Sequence, residues 1–301
     1  MKHNTVLTEN INASDGKKMY DDICRKILSN KEILAWIMKG CVVEYKNFDV
    51  KDIATKYIEG IPNVGAINVA TGENIQGLAN EDLNGKIFYD IRYKAIVPSE
   101  DDFIELFINL EVQNNFYPGY PLTKRGIYYA SNMITNQYGT VFKNSEYQKI
   151  KKVYSIWICR NAPNCRKNRI VSYDITENNI VGNVNEKKEN YDLQSVVMVY
   201  LGDAQDKPES KVLKMLNTLL SEKVRAKQKI DFLTTEFQIE ATEEFINEVY
   251  TMCNLSQGIE DNTIKKAINI IRDLDIDDDI IDIITEKVEE EFELSKHIIL
   301  S

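Results

Sequence analysis

Two acidic residues stand where acids are expensive. Asp90 lies in Tyr89-Asp90-Ile91-Arg92 and Glu111 in Asn109-Leu110-Glu111-Val112-Gln113, both otherwise strand-like and apolar. A buried carboxylate costs several kcal/mol unless it is paired or bound to a cation. Two of them on neighbouring strands suggest a site for a hard divalent metal, which takes oxygen ligands. Strand side chains alternate faces, so Glu111 and Gln113 point the same way. On spacing alone, the alternative is a pair of solvated acids on the open face of a sheet.

The elements that must position these residues are legible as a hairpin. Residues 86–97 alternate, with Ile87, Tyr89, Ile91, Tyr93 and Ala95 on one face. Residues 103–113 alternate likewise, with Ile104, Leu106, Ile108, Leu110 and Val112. Pro98-Ser99-Glu100-Asp101-Asp102 between them has turn composition. A turn centred between Glu100 and Asp101 places Asp90 directly opposite Glu111, with Cβ atoms roughly 5 Å apart. A slip of one residue would put them on opposite faces.

Other chemistries are disfavoured by composition. The only histidines, His3 and His297, lie near the chain ends. That argues against Ser-His-Asp, Cys-His and His-ligated zinc mechanisms, whereas carboxylate–magnesium chemistry needs no histidine. The five cysteines form no CxxC, and the spacing of Cys159 and Cys165 fits no common zinc pattern. No apolar run reaches membrane-spanning length, and residues 1–15 lack the apolar stretch of a signal peptide. A cytoplasmic protein with no membrane partner is the expectation.

Net charge is −10 over 301 residues, unevenly distributed. Residues 231–301 carry 19 acidic and 5 basic side chains, a local net of −14, against +4 for the rest. A mildly basic body suits a phosphate backbone.

Periodicity suggests a disordered lead over 1–16, with Ser14 or Asp15 capping a helix that starts near 17. One long helix or two abutting ones follow to residue 46, then a short helix over 47–59. A Gly- and Asn-rich loop over 60–85 precedes the hairpin. A helix over 122–138 has Ile127, Ala130, Met133 and Ile134 on its apolar side, and Arg125, Tyr129, Asn132 and Asn136 on a polar stripe. Strands are expected near 154–159, 171–176 and 195–201. From Glu209 onward the pattern is helical, with breaks at 207–208, 256–258 and 275–279. The organisation is therefore an α/β core over 17–206, a mixed central sheet flanked by helices, and an acidic α-helical tail over 207–301. A plain solvated face is the first reading of the tail; the alternatives are a DNA-mimicking segment or a surface for self-association or a protein partner.

Asp90, then Glu111-Val112-Gln113 after a hairpin, then a helix opening Lys124-Arg125-Gly-Ile-Tyr-Tyr129, resembles the PD-(D/E)xK nuclease superfamily. Within it the chain is similar to the Rpn-type recombination-promoting nucleases, also described as PD-(D/E)xK putative transposases. Residues 147–158 resemble that branch's later core strand, and Met252-Cys-Asn-Leu-Ser256 the start of its helical tail. The likeness covers roughly residues 17–260.

The resemblance implies a restriction-endonuclease-like core and magnesium-dependent hydrolysis of DNA linked to recombination or mobile DNA. Manganese would suit the same donors. It implies that Asp90, Glu111 and the Val112 carbonyl hold the metal, and that Gln113 and Arg125 complete the catalytic set. Gln113 stands where the superfamily usually has Lys, and a neutral amide orients water without supplying positive charge. Accessory roles fall to Tyr129 and to an additional acid, for which Asp22 and Glu44 are rivals. An ordinary helix-start acid is an equal reading of Asp22. Lys124, Arg125, Arg160, Arg166 and Lys167 are the candidate DNA contacts. The alternative is a catalytically weak or inactive nuclease fold that binds DNA or protein.

Overall fold

The computed structural model describes residues 3–64, 90–98, 103–273 and 287. The turn at 99–102, the stretch 65–89 with Tyr89, and the acidic segment beyond 273 lie outside the described residues, apart from Lys287.

The chain is an α/β protein with a six-stranded mixed sheet, helices against it, and C-terminal helices. It divides into two compact units, Arg25–Leu220 and Met1–Cys24 with Ser221–Ser301. The sheet unit thus extends past the expected limit at 206 and takes in a further helix.

Helix α1 (His3–Leu28) begins well before residue 17, so helical backbone replaces the disordered lead expected over 1–16. Ser14 and Asp15 are interior positions of this helix rather than its start. Residues 3–15 contain neither Pro nor Gly, so nothing halts propagation from the better-patterned turns that follow. After a break at Ser29–Asn30, Asn30 accepts the backbone N–H groups of Glu32 and Ile33 and so caps α2 (Lys31–Cys41). The short helix expected over 47–59 is one turn of α3 (Val50–Asp52) running into a π-helical turn at 53–57.

The sheet order is β1-β2-β3-β4-β6-β5. Strand β1 (Asn63–Val64) is antiparallel to β2 (Ile91–Pro98), which is antiparallel to β3 (Phe103–Gln113). Strand β4 (Lys152–Cys159) is parallel to both β3 and β6 (Gln194–Tyr200), and β5 (Arg169–Asp174) closes the order antiparallel to β6. The β2–β3 register pairs Ile91 with Leu110, which is the register expected from the turn composition.

Between β3 and β4 runs α4 (Leu122–Thr135). Its Leu122, Tyr129, Ala130 and Met133 pack on Phe107, Val153, Trp157, Val196 and Met198 of one sheet face. The buried side is therefore rotated from the expected stripe. Ile127 is exposed, and Tyr129 is buried rather than polar surface. Gly126 explains the rotation. A Cβ there would lie 2.6 Å from Val196 Cγ1 and 3.1 Å from Trp157 Nε1, so the helix backbone itself approaches the sheet.

On the same unit α2 packs with α5 (Lys211–Leu219). In the second unit α6 (Ala226–Phe237) packs with α7 (Glu243–Asp273). Helix α7 runs through the break expected at 256–258, because Ser, Gln and a single Gly lower helix propensity without ending a helix. Among the described residues, no helix is long and apolar enough to cross a membrane.

Candidate active site

Asp90 sits one residue before β2 and Glu111 near the end of β3, 4% and 3% exposed. They meet as the register requires. The Asp90 backbone N–H donates to Glu111 Oε1 at 3.1 Å, and the Val112 N–H donates to Asp90 Oδ2 at 3.0 Å. Each carboxylate is thus locked to the other's strand. The Gln113 carbonyl accepts the Arg160 N–H from the β4 side. Backbone polar groups alternate sides along a strand, so the Val112 carbonyl faces the opposite side, with the N–H that Asp90 accepts.

Burial raises the pKa of Asp90, against which the nearby Arg25 guanidinium acts. Burial raises Glu111 well above the ordinary carboxylate range, and the negative charge of Asp90 adds to the rise. Two charges in so dry a place require a cation. The structure supplies one directly, since Arg25 Nη1 lies 3.2 Å from Asp90 Oδ1. A second charge, Arg125, acts on both acids from the start of α4.

Arg125 is held in an aromatic slot. Its Nε and Nη2 donate to the Tyr129 hydroxyl at 3.2 and 2.8 Å, and its Nη1 to the Tyr120 hydroxyl at 2.9 Å. Its guanidinium lies 5.1 Å from the Tyr129 ring centre and 5.4 Å from that of Trp157. Arg125 is thus held where its charge acts on both acids, Tyr129 is a buried partner of Arg125, and Trp157 is core.

Asn109 shares Glu111's face and is fully buried. Neither its Nδ2 nor its Oδ1 completes a hydrogen bond by geometry. The donor set, two buried carboxylates with an orphaned amide oxygen on the same strand face, is all oxygen and suits a hard divalent cation. Among the described residues no three His, Cys, Asp or Glu side chains converge, so two carboxylates would be its side-chain anchors.

Other candidates lie elsewhere. The Gln113 amide donates to the Asn115 carbonyl at 2.7 Å, so it braces the following loop. Glu44 accepts from Lys152 Nζ at 2.9 Å and from the Tyr154 hydroxyl at 2.5 Å. Tyr154 pairs with Ile108, so it shares the face opposite to Glu111 and Glu44 is no accessory acid to this pair. Asp22 is an exposed residue of the other unit.

The basic loop after β4 is largely tied down. Arg160 donates to Asn114 Oδ1 and the Leu220 carbonyl, Arg166 to the Tyr200 hydroxyl, and Lys167 pairs with Asp203 at 2.7 Å. Lys124 is exposed.

Sequence reasoning missed Arg25 and Asn109. The two-residue spacing to Glu111 could have found Asn109. Nothing local signals that a residue in the last turn of α1 reaches a strand 65 positions on.

No family model matches the chain, and no match was found among curated proteins or solved structures.

Proposed function

We propose that the chain is a metal-dependent DNA endonuclease with a restriction-endonuclease-like core, of the PD-(D/E)xK kind its hairpin and following helix resemble. The observation that carries this reading is the pair Asp90 and Glu111, buried side by side and each hydrogen-bonded to the other's strand. The two carboxylates and the Val112 carbonyl would hold Mg²⁺ or Mn²⁺. A bound divalent cation lowers the pKa of a coordinated water and offsets charge on phosphorus.

The chain's own residues supply the rest. Asp90 and Glu111 are fixed in place because each is hydrogen-bonded to the other's backbone, and a bound cation would favour their charged forms. Arg125, oriented by two tyrosine hydroxyls, brings positive charge to the same place, as a transferring phosphoryl group requires. Plasmid nicking in Mg²⁺ tests the reading. Asp90→Asn and Glu111→Gln are each expected to lose at least about a hundredfold in rate, as removal of a charge-stabilising group does.

One observation favours a second reading, a nuclease fold of low catalytic power that binds DNA. The Gln113 amide is engaged by Asn115, so it does not orient a water between the acids. Wild type and Asp90→Ala that bind DNA equally and nick it equally little would decide for that reading.

A further inference from the structure

Four large exposed apolar side chains, Tyr117, Tyr120, Ile127 and Tyr128, fall within twelve residues around Arg125. Tyr117 is 74% exposed and Tyr120 42%. Exposed rings gain nothing from the core, so their placement needs another reason. Their loop is stiff. Pro118 and Pro121 fix φ on either side of Gly119, whose φ of +99° lets the chain turn sharply between them.

This loop is joined at one end to the strand that carries Glu111 and at the other to Arg125. At one end the Gln113 amide holds the Asn115 carbonyl, and Asn115 Oδ1 accepts the Tyr117 N–H at 3.0 Å. At the other, Tyr120 takes a hydrogen bond from Arg125, whose charge acts on both Asp90 and Glu111. Phe116 braces Tyr117 from behind, with ring centres 4.9 Å apart, and is itself packed near Tyr200. Lys124 is exposed four residues after Tyr120, and the Arg125 guanidinium lies 5.9 Å from the Tyr120 ring centre, leaving the ring's other face for a base.

Exposed rings on a constrained loop beside cations are what a flexible single strand recognises. Bases stack on the rings, and the phosphates meet the positive charge. In a duplex the base faces are covered by their neighbours and cannot reach such rings.

Building on the nuclease reading, we propose that Tyr117 and Tyr120 form a stacking platform for an unpaired nucleotide, and that the substrate is DNA that is single-stranded or opened at the point of cleavage. Gln113 then acts as a positioning residue for this platform, joining it to the strand that carries Glu111.

The test is binding, in EDTA, of a single-stranded oligonucleotide carrying 2-aminopurine and of the same sequence as a blunt duplex. The full chain should bind the single strand more tightly and quench the 2-aminopurine, because stacking quenches it. Tyr117→Ala and Tyr120→Ala should each weaken single-strand binding by about fivefold to a hundredfold and abolish the quench. Tyr117→Phe keeps the ring and should keep both. Equal affinity for the two forms, or Ala variants that bind and quench like wild type, would overturn the platform. Nicking in Mg²⁺ is scored separately. A protein that quenches but never nicks keeps the platform and loses the nuclease reading. One that nicks with unaltered binding by the Ala variants does the reverse.

Discussion

Asp90 and Glu111 oppose each other where water is excluded, and their protonation follows from that. Burial raises both pKa values, Glu111 further because Asp90 is beside it. A carboxyl whose folded pKa lies above its unfolded one binds more protons when folded, in the window between the two. Stability is then greatest below the unfolded pKa and falls as pH rises through the folded one. In EDTA the melting temperature should therefore decline from about pH 5 towards pH 8, starting above the ordinary carboxylate range. Glu111→Gln keeps the shape without the charge. It should flatten that decline and raise the melting temperature at pH 8 by several degrees. Mg²⁺ should raise the wild-type value at pH 8 and have little effect on the variant. A wild-type melting temperature that climbs over this range would contradict the buried pair. The register that joins these residues was readable, since a turn between two alternating runs admits few pairings. Arg25 was not, because its contact with Asp90 depends on where α1 ends in space.

At the scale of elements, α4 decides how Arg125 is presented. Gly126 lets the helix lie on Val196, Trp157 and Met198, which turns Tyr129 inward and leaves Arg125 at the rim. Gly126→Ala would put a methyl group into that contact. The expected cost is about 1–3 kcal/mol, as for other overpacked cores, although Ala is the better helix former. Thermal unfolding checks it, and nicking should fall further than stability alone explains because Arg125 moves with the helix. A variant as stable as wild type would show that the close approach carries no constraint. The expected apolar stripe of α4 misplaced Ile127 and Tyr129 for the same reason. Side-chain periodicity assumes equal helix–sheet distances all round, and one glycine removes that assumption.

The whole molecule carries its charge unevenly, with −14 over residues 231–301 and +4 elsewhere. Acidic residues repel a phosphate backbone over roughly a Debye length, about 10 Å at 0.1 M salt. Replacing Asp275, Asp277, Asp278 and Asp279 by Asn should tighten binding to DNA by about two- to tenfold at low salt, and the gain should vanish at high salt. Titration of labelled DNA at two ionic strengths measures this. A gain that persists at high salt would mean that those residues act by contact rather than by charge. The expected division at residue 206 fell short of Leu220, because α5 follows a loop yet belongs with the sheet unit. Loop composition marks where the chain turns, whereas unit membership depends on what each helix packs against.

The strand order through the hairpin, the opposition of Asp90 and Glu111, the helix that follows and the helical C-terminal part were all determined by the sequence. Each rests on local alternation, turn chemistry or helical spacing, which short stretches of chain specify alone. Tertiary structure decided the rest. It put Arg25 on Asp90, drew Glu44 to Lys152 and Tyr154 on the far face, and engaged Arg160, Arg166 and Lys167 within the protein. It also turned Gln113 from the acids to the loop that displays Tyr117 and Tyr120. A long polar side chain can reach several partners, and only the folded arrangement selects one.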